Sequence, residues 1–187
     1  MIEFIDNFLQ DGVASASHPF HQCALATISL NKPELRTVVL RKWDLSRRTL
    51  IFHTDIRSPK VSQLKKEPYC SLLFYSRPDK IQARFDCVSH IHHNNRLSQV
   101  SYEKLTDSQR QCYQWPIAPS EKIDFVNMET YMSQSSKIKK VDPINNFCVI
   151  VCNFNKLEVL KLQHDGHVRV LYDWNKKGEL TTTNLVA

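Results

Sequence analysis

The sequence predicts a mainly β protein, an antiparallel β-barrel with flanking helices. Two observations carry this. Short runs rich in β-branched and aromatic residues follow one another closely in both end regions of the chain. Their connectors carry turn chemistry, as in Asn31-Lys32-Pro33-Glu34, Asp44-Leu45-Ser46-Arg47-Arg48 and Arg77-Pro78-Asp79-Lys80. Closely spaced antiparallel strands with few edges close most economically as a barrel. The 187 residues suffice for one substantial core, so 1–187 reads as a single domain.

The elements follow in order. Ile2, Ile5, Phe8 and Leu9 share one helical face, which predicts an N-terminal amphipathic helix over 1–15. Acidic residues there, in place of a basic segment, argue against a signal peptide. Strands are expected at 23–30, 36–43, 49–54, 69–76 and 80–91. One helix interrupts them at Pro59–Lys66, where Ser58 stands as N-cap and Pro59 at the first helical position. The section from about 94 to 138 reads as a helical insertion, with a helix start at Thr106-Asp107-Ser108-Gln109 and another helix from about 120. Four strands return at 146–154, 156–163, 167–174 and 179–186, the last joined by turns at His164-Asp165-Gly166-His167 and Asn175-Lys176-Lys177-Gly178.

Composition narrows the function classes. No apolar run approaches the roughly 20 residues of a membrane-spanning helix. Six cysteines at 23, 70, 87, 112, 148 and 152 form no Cys-x-x-Cys pair, and most sit in apolar strand runs. They read as free thiols in a reducing cytoplasm. Cys148 and Cys152 share a strand face but stand about 13 Å apart by strand rise, too far for a disulfide. The net charge of +6 permits an anionic partner, yet no RNA-binding signature accompanies it, so no nucleic-acid or membrane partner is expected. His90 and His92 share a strand face without a ligand-spaced Cys or acidic partner, so no metal is expected. The only glycines are Gly12, Gly166 and Gly178, which excludes the Gly-rich dinucleotide fingerprint and the P-loop. A phosphate site in this chain must be built from side chains and a helix N-terminus.

Three pieces of sequence offer such groups. Alternation in Arg36-Thr37-Val38-Val39-Leu40-Arg41 puts Arg36, Val38 and Leu40 on one face and Thr37, Val39 and Arg41 on the other. Phe52-His53-Thr54-Asp55-Ile56-Arg57-Ser58-Pro59-Lys60 runs from a strand end into a helix, where free N–H groups, the macrodipole and Lys60 favour an anion. Gln82 and Arg84 share a face of the strand Ile81-Gln82-Ala83-Arg84-Phe85. Each alone reads as a solvated strand end, an N-cap or a surface residue.

In this order and spacing, with Glu67-Pro68-Tyr69-Cys70-Ser71-Leu72-Leu73-Phe74 between the second and third, these pieces resemble the pyridoxamine 5′-phosphate oxidase family, the FMN-binding split-barrel proteins. Ser133-Gln134-Ser135-Ser136-Lys137 and His167-Val168-Arg169-Val170-Leu171-Tyr172 extend the resemblance over roughly residues 20–187. It implies a split β-barrel and FMN as cofactor. Arg36, Ser58 and Lys60 would hold the FMN phosphate, with help from Arg57. The strand Thr37, Val38, Val39, Leu40 and Arg41 would line the isoalloxazine, and His53 and Thr54 would contact it. Gln82, Gln134, Ser135 and Arg169 would form a second wall in a homodimer with FMN between the subunits.

The chain also departs from the family's pattern. Pro59 stands where the oxidase has a second phosphate cation, Arg41 replaces a lysine, and Asp165 replaces an arginine two residues before His167. Arg41, Ser108 and His167 are the candidates for contact with a small-molecule substrate. The resemblance is nearest to a branch without an assigned substrate and implies an FMN-dependent oxidoreductase. Two alternatives stand beside it: a genuine pyridoxamine or pyridoxine 5′-phosphate oxidase of vitamin B6 metabolism, and a non-catalytic flavin or haem binding module.

Overall fold

Helix α1 (Ile2–Ala14) buries Ile5, Leu9 and Gly12, and leaves Ile2 and Phe8 half-buried on the predicted face. Gly12 is there for its missing side chain: a Cβ would stand 2.5 Å from the carbonyl oxygen of Phe20, in the short 3-10 turn Pro19–His21. The Trp43 indole N–H donates to Asp6 Oδ1 at 2.6 Å and ties the helix to the sheet. The computed structural model describes residues 1–122 and 139–187.

Eight strands follow: β1 (Gln22–Ser29), β2 (Lys32–Asp44), β3 (Thr49–Asp55), β4 (Tyr69–Ser76), β5 (Ile81–His92), β6 (Phe147–Lys161), β7 (Val168–Trp174) and β8 (Leu180–Leu185). Their order in the sheet is β3-β2-β1-β4-β5-β6-β7-β8, and β3 also pairs with β6. Six strands therefore close into an antiparallel split barrel, and β7 and β8 extend it. Closure removes the open edges that an exposed sheet would present.

The expected fold class is found, with two corrections to the elements: Lys32, Pro33 and Glu34, expected in a connector, open β2 opposite β1, and two expected strands are one. The runs at 146–154 and 156–163 are a single strand, β6. The two expected runs were divided at Asn155, but neither Gly nor Pro breaks the backbone there. From Lys156 onward the strand takes β7 as partner, beginning with Lys156 opposite Asp173. Helix α2 (Pro59–Lys66) lies where expected. The helical section contains α3 (Arg96–Glu103), opened by an Asn95 capping box, and α4 (Asp107–Gln111), opened by a Thr106 capping box with Gln109. The Asn95 cap was not read from sequence. The helix expected from about 120 falls mostly on residues 123–138, outside the described residues, as do Gln134 and Ser135.

Chain contacts divide the protein into two compact units. The first comprises Met1–Phe52, Gln63–His90 and Ile150–Ala187. Its core is an aromatic cluster in which Trp43 stacks on Phe154 at 5.4 Å and Phe85 meets Phe154 edge-on at 5.1 Å. Phe74 links Phe85 to Phe20 beneath helix α1. The second unit comprises His53–Ser62 and Ile91–Val149. It is centred on buried Phe147, against which the rings of His53, Tyr102 and Tyr113 pack at 5.0, 5.5 and 5.1 Å.

Candidate functional site

The strand-to-helix loop of the second unit brings three of the sequence-predicted residues together. Lys60 Nζ donates to Ser58 Oγ at 2.6 Å and to Thr54 Oγ1 at 3.1 Å. Thr54 and Ser58 are both buried. The reason is local: β3 ends at Asp55, the chain turns, and Ser58 opens helix α2, with the Val61 N–H donating to the Ser58 carbonyl. An ammonium and two hydroxyls at a helix N-terminus form a compact set of donors, the chemistry that binds a phosphate. The donor set fits the phosphate end of FMN.

Arg57 is placed differently from expectation. Its Nε and Nη2 bind the two carboxylate oxygens of buried Asp55 at 3.0 and 2.7 Å. The rest of the fork donates to the carbonyls of Trp115 and Pro116 at 2.8 and 2.9 Å. The hydrogen bond to Asp55 holds the guanidinium above its ordinary pKa. Asp55 also caps the Arg57 N–H at 2.8 Å. This planar, bidentate clamp fixes the loop against the 113–116 segment and leaves few donors for a ligand. Asn146 adds to it, accepting at its carbonyl from the Ile56 N–H and donating its side-chain amide to the Tyr113 carbonyl, both at 2.8 Å. The sequence marked Asp55 only as a member of the loop motif, not as the partner of Arg57, and did not mark Asn146.

In the first unit, Arg36 shares the inward face of β2 with Val38 and Leu40, as alternation predicted. Its Nη1 donates to Thr27 Oγ1 and to the Leu25 carbonyl, and its Nη2 to Gln63 Oε1 at 2.9 Å and Glu34 Oε2 at 3.4 Å. Thr27 in turn donates to Gln63 at 2.6 Å, and Gln63 to Glu34 at 2.8 Å. Burial lowers the Arg36 pKa from its ordinary value, and Glu34 opposes that shift. Thr27, Glu34 and Gln63 come from β1, β2 and α2, and only the strand register could have revealed them.

Thr37 is exposed and Val39 half-buried on the outer face of β2. Arg41 is the extra residue of a β-bulge, since Leu40 pairs with Phe52 and Lys42 with Ile51. Bulges re-aim side chains, which singles out Arg41 within its strand. Gln82 stands opposite Tyr75 on the outer face of β5. Arg169 donates Nε and Nη2 to Glu158 Oε1 at 3.0 and 2.8 Å, and Arg84 donates to Glu158 Oε2 at 2.9 Å. Two arginines thus neutralise one buried carboxylate. Ser108 lies exposed on α4, within 3.0 Å of the Thr106 hydroxyl. His167 is exposed and accepts from the Gln163 N–H at 3.2 Å. Among the described residues, no group of three or more His, Cys, Asp or Glu is arranged to hold a metal ion. No described helix is long and apolar enough to cross a membrane.

Residues 3–93 match the family model of the pyridoxamine 5′-phosphate oxidase FMN-binding domain. No curated protein sequence matches the chain. Among solved structures, a pyridoxamine 5′-phosphate oxidase-related, FMN binding protein from Nostoc punctiforme PCC 73102 aligns with a TM-score of 0.80 at 22% identity, over 99% of this chain and 96% of that one. PhzG from Burkholderia lata 383, solved with tetrahydrophenazine-1-carboxylic acid, aligns with a TM-score of 0.76 at 16% identity, over 100% and 92%. The General Stress Protein 26 from Bacillus anthracis str. Sterne gives 0.51 at 15% identity, over 84% and 98%. At these identities the structural likeness shows the fold. Residues 3–93 are therefore similar to the pyridoxamine 5′-phosphate oxidase FMN-binding domain, and the chain has the split-barrel fold of these solved structures.

Proposed function

We propose that the chain is an FMN-dependent oxidoreductase of the pyridoxamine 5′-phosphate oxidase type, a cytoplasmic homodimer acting on a small molecule. The observation that carries this reading is the Lys60 ammonium held between the Ser58 and Thr54 hydroxyls at the start of α2. The match of residues 3–93 to an FMN-binding domain supports it. Lys60, Ser58 and Thr54 bind the phosphate, and Arg36 supplies a second cation. Arg57 is a positioning residue that holds the loop through Asp55.

The backbone of Thr37, Val38, Val39, Leu40 and Arg41 lines the ring, with His53 beside it. Gln82, Gln134, Ser135 and Arg169 form the wall supplied across the dimer. Arg41, Ser108 and His167 contact the substrate. Bound there, FMN supplies two-electron redox chemistry at its isoalloxazine ring. The protein's part is to hold the phosphate, exclude water from the ring and orient the substrate. Asp165 stands two residues before His167, and its carboxylate disfavours a phosphorylated anionic substrate. Six free cysteines suit a reducing compartment.

The test is a titration of the flavin-free protein with FMN and with riboflavin. Phosphate recognition predicts that FMN binds at least about tenfold more tightly, since charge-assisted hydrogen bonds each contribute about 1.5–3 kcal/mol. Equal affinities, or no flavin binding, contradict the reading.

A further inference from the structure

The turn between β4 and β5 and the turn between β6 and β7 meet at one end of the first unit. The Leu162 N–H donates to the Lys80 carbonyl at 2.9 Å and pins the two turns together. The Gln163 N–H donates to His167 Nδ1 at 3.2 Å and closes the second turn. Between them lies a pocket of about 470 Å³, whose lining includes Tyr75, Arg77, Lys80, Leu162, His164 and His167. That volume suits a small organic ligand.

The lining combines apolar surface with spare positive charge. Tyr75 is 48% exposed, and Leu162 is half-buried. Arg77 and Lys80 stand exposed at the two ends of a four-residue turn. The acid of that turn, Asp79, is taken by Ser76, whose hydroxyl donates to its Oδ2. With other described residues, the Arg77 and Lys80 side chains form neither an ion pair nor a hydrogen bond. His167 offers a third donor: its Nδ1 accepts from the backbone, so the ring proton of the neutral imidazole sits on Nε2.

We propose that this pocket binds a small aromatic carboxylate, with its ring against Tyr75 and Leu162 and its carboxylate among Arg77, Lys80 and His167. Two cations and one imidazole N–H match the two oxygens of a carboxylate, and an arginine fork binds that group in bidentate fashion. A phosphate is served less well. The Leu162 and Gln163 N–H groups are already spent within the fold, so the pocket lacks the free backbone donors of a helix N-terminus. Asp165 lies beside His164, 3.2 Å from its Nδ1, and its charge weighs more against a dianion than against a monoanion. Since His167 is among the residues proposed to contact the substrate, the inference deepens the FMN reading, and the role of this ligand as substrate rests on that reading. Binding itself rests on the pocket alone.

The test is calorimetric titration of the purified full chain with benzoate, benzamide and phenyl phosphate. Benzoate should bind saturably. Benzamide, which keeps the ring and lacks the charge, should bind at least about tenfold more weakly, and phenyl phosphate no more tightly than benzoate. Arg77→Gln and Lys80→Gln should each weaken benzoate binding about tenfold. Lys177→Gln, which removes an exposed cation from the β7–β8 turn, should leave it unchanged. FMN affinity should be the same in all three variants. In the parent chain, benzoate should also shift the His167 ring resonances in the proton NMR spectrum, a readout that needs no variant to fold. Absence of saturable benzoate binding, equal affinity for benzamide, tighter binding of phenyl phosphate, or an equal loss in Lys177→Gln overturns the proposal. A chain that binds benzoate in the expected pattern and does not bind FMN upholds the site and overturns only the FMN reading.

Discussion

Lys60 and Ser58 are joined by a 2.6 Å hydrogen bond at the first turn of α2, and Thr54 accepts from the same ammonium. The pair concentrates positive charge on hydroxyls that are themselves buried. Lys60→Ala should therefore weaken FMN binding about tenfold to a hundredfold while leaving riboflavin binding nearly unchanged. Flavin titration of the variant measures both. A variant that loses affinity for both flavins equally would assign Lys60 to the ring or to the fold.

Arg57 and Asp55 give a different expectation. Arg57→Lys keeps the charge but loses the bidentate fork and the two carbonyl contacts. It should cost about 1–3 kcal/mol and lower the melting temperature by several degrees. FMN affinity, measured well below that temperature, should change less than in Lys60→Ala. A stable Arg57→Lys protein with lost FMN affinity would return Arg57 to the phosphate.

Glu158 accepts from both Arg84 and Arg169. Glu158→Ala removes the common acceptor and leaves two guanidiniums facing each other across the β5–β6–β7 sheet. Chemical denaturation should show a loss of about 1–3 kcal/mol. Unchanged stability would mean that solvent replaces the carboxylate at no cost.

Gly12 faces the Phe20 carbonyl so closely that any side chain must displace backbone. Gly12→Ala should destabilise the protein by about 1–3 kcal/mol despite the better helix propensity of alanine. A denaturation midpoint at or above that of the parent chain would show that α1 can move away.

How much of this could be read in advance depended on sequence distance. The strands β1 to β5 were legible because apolar alternation and turn residues are local signals. The split placed at Asn155 failed because a polar residue between two apolar runs resembles a break when the partner strand is unknown. The Lys60–Ser58–Thr54 group was legible because one strand end and one helix start hold it within seven residues. The partners of Arg36 were not, because Thr27 and Gln63 reach it only through the register of β1 against β2 and the placement of α2. The cysteines show the same limit most sharply: spacing told only that Cys148 and Cys152 stand apart on their strand, and the sulfur in contact with Cys152 belongs to Cys70, 82 residues away.

The most direct measurement is the absorbance spectrum of the freshly purified protein, with mass analysis of the small molecule released on denaturation. A barrel that holds FMN gives flavin bands at about 370 and 450 nm and a released mass matching FMN. Colourless protein that cannot be reconstituted by added FMN, or a haem Soret band in place of the flavin spectrum, would contradict it.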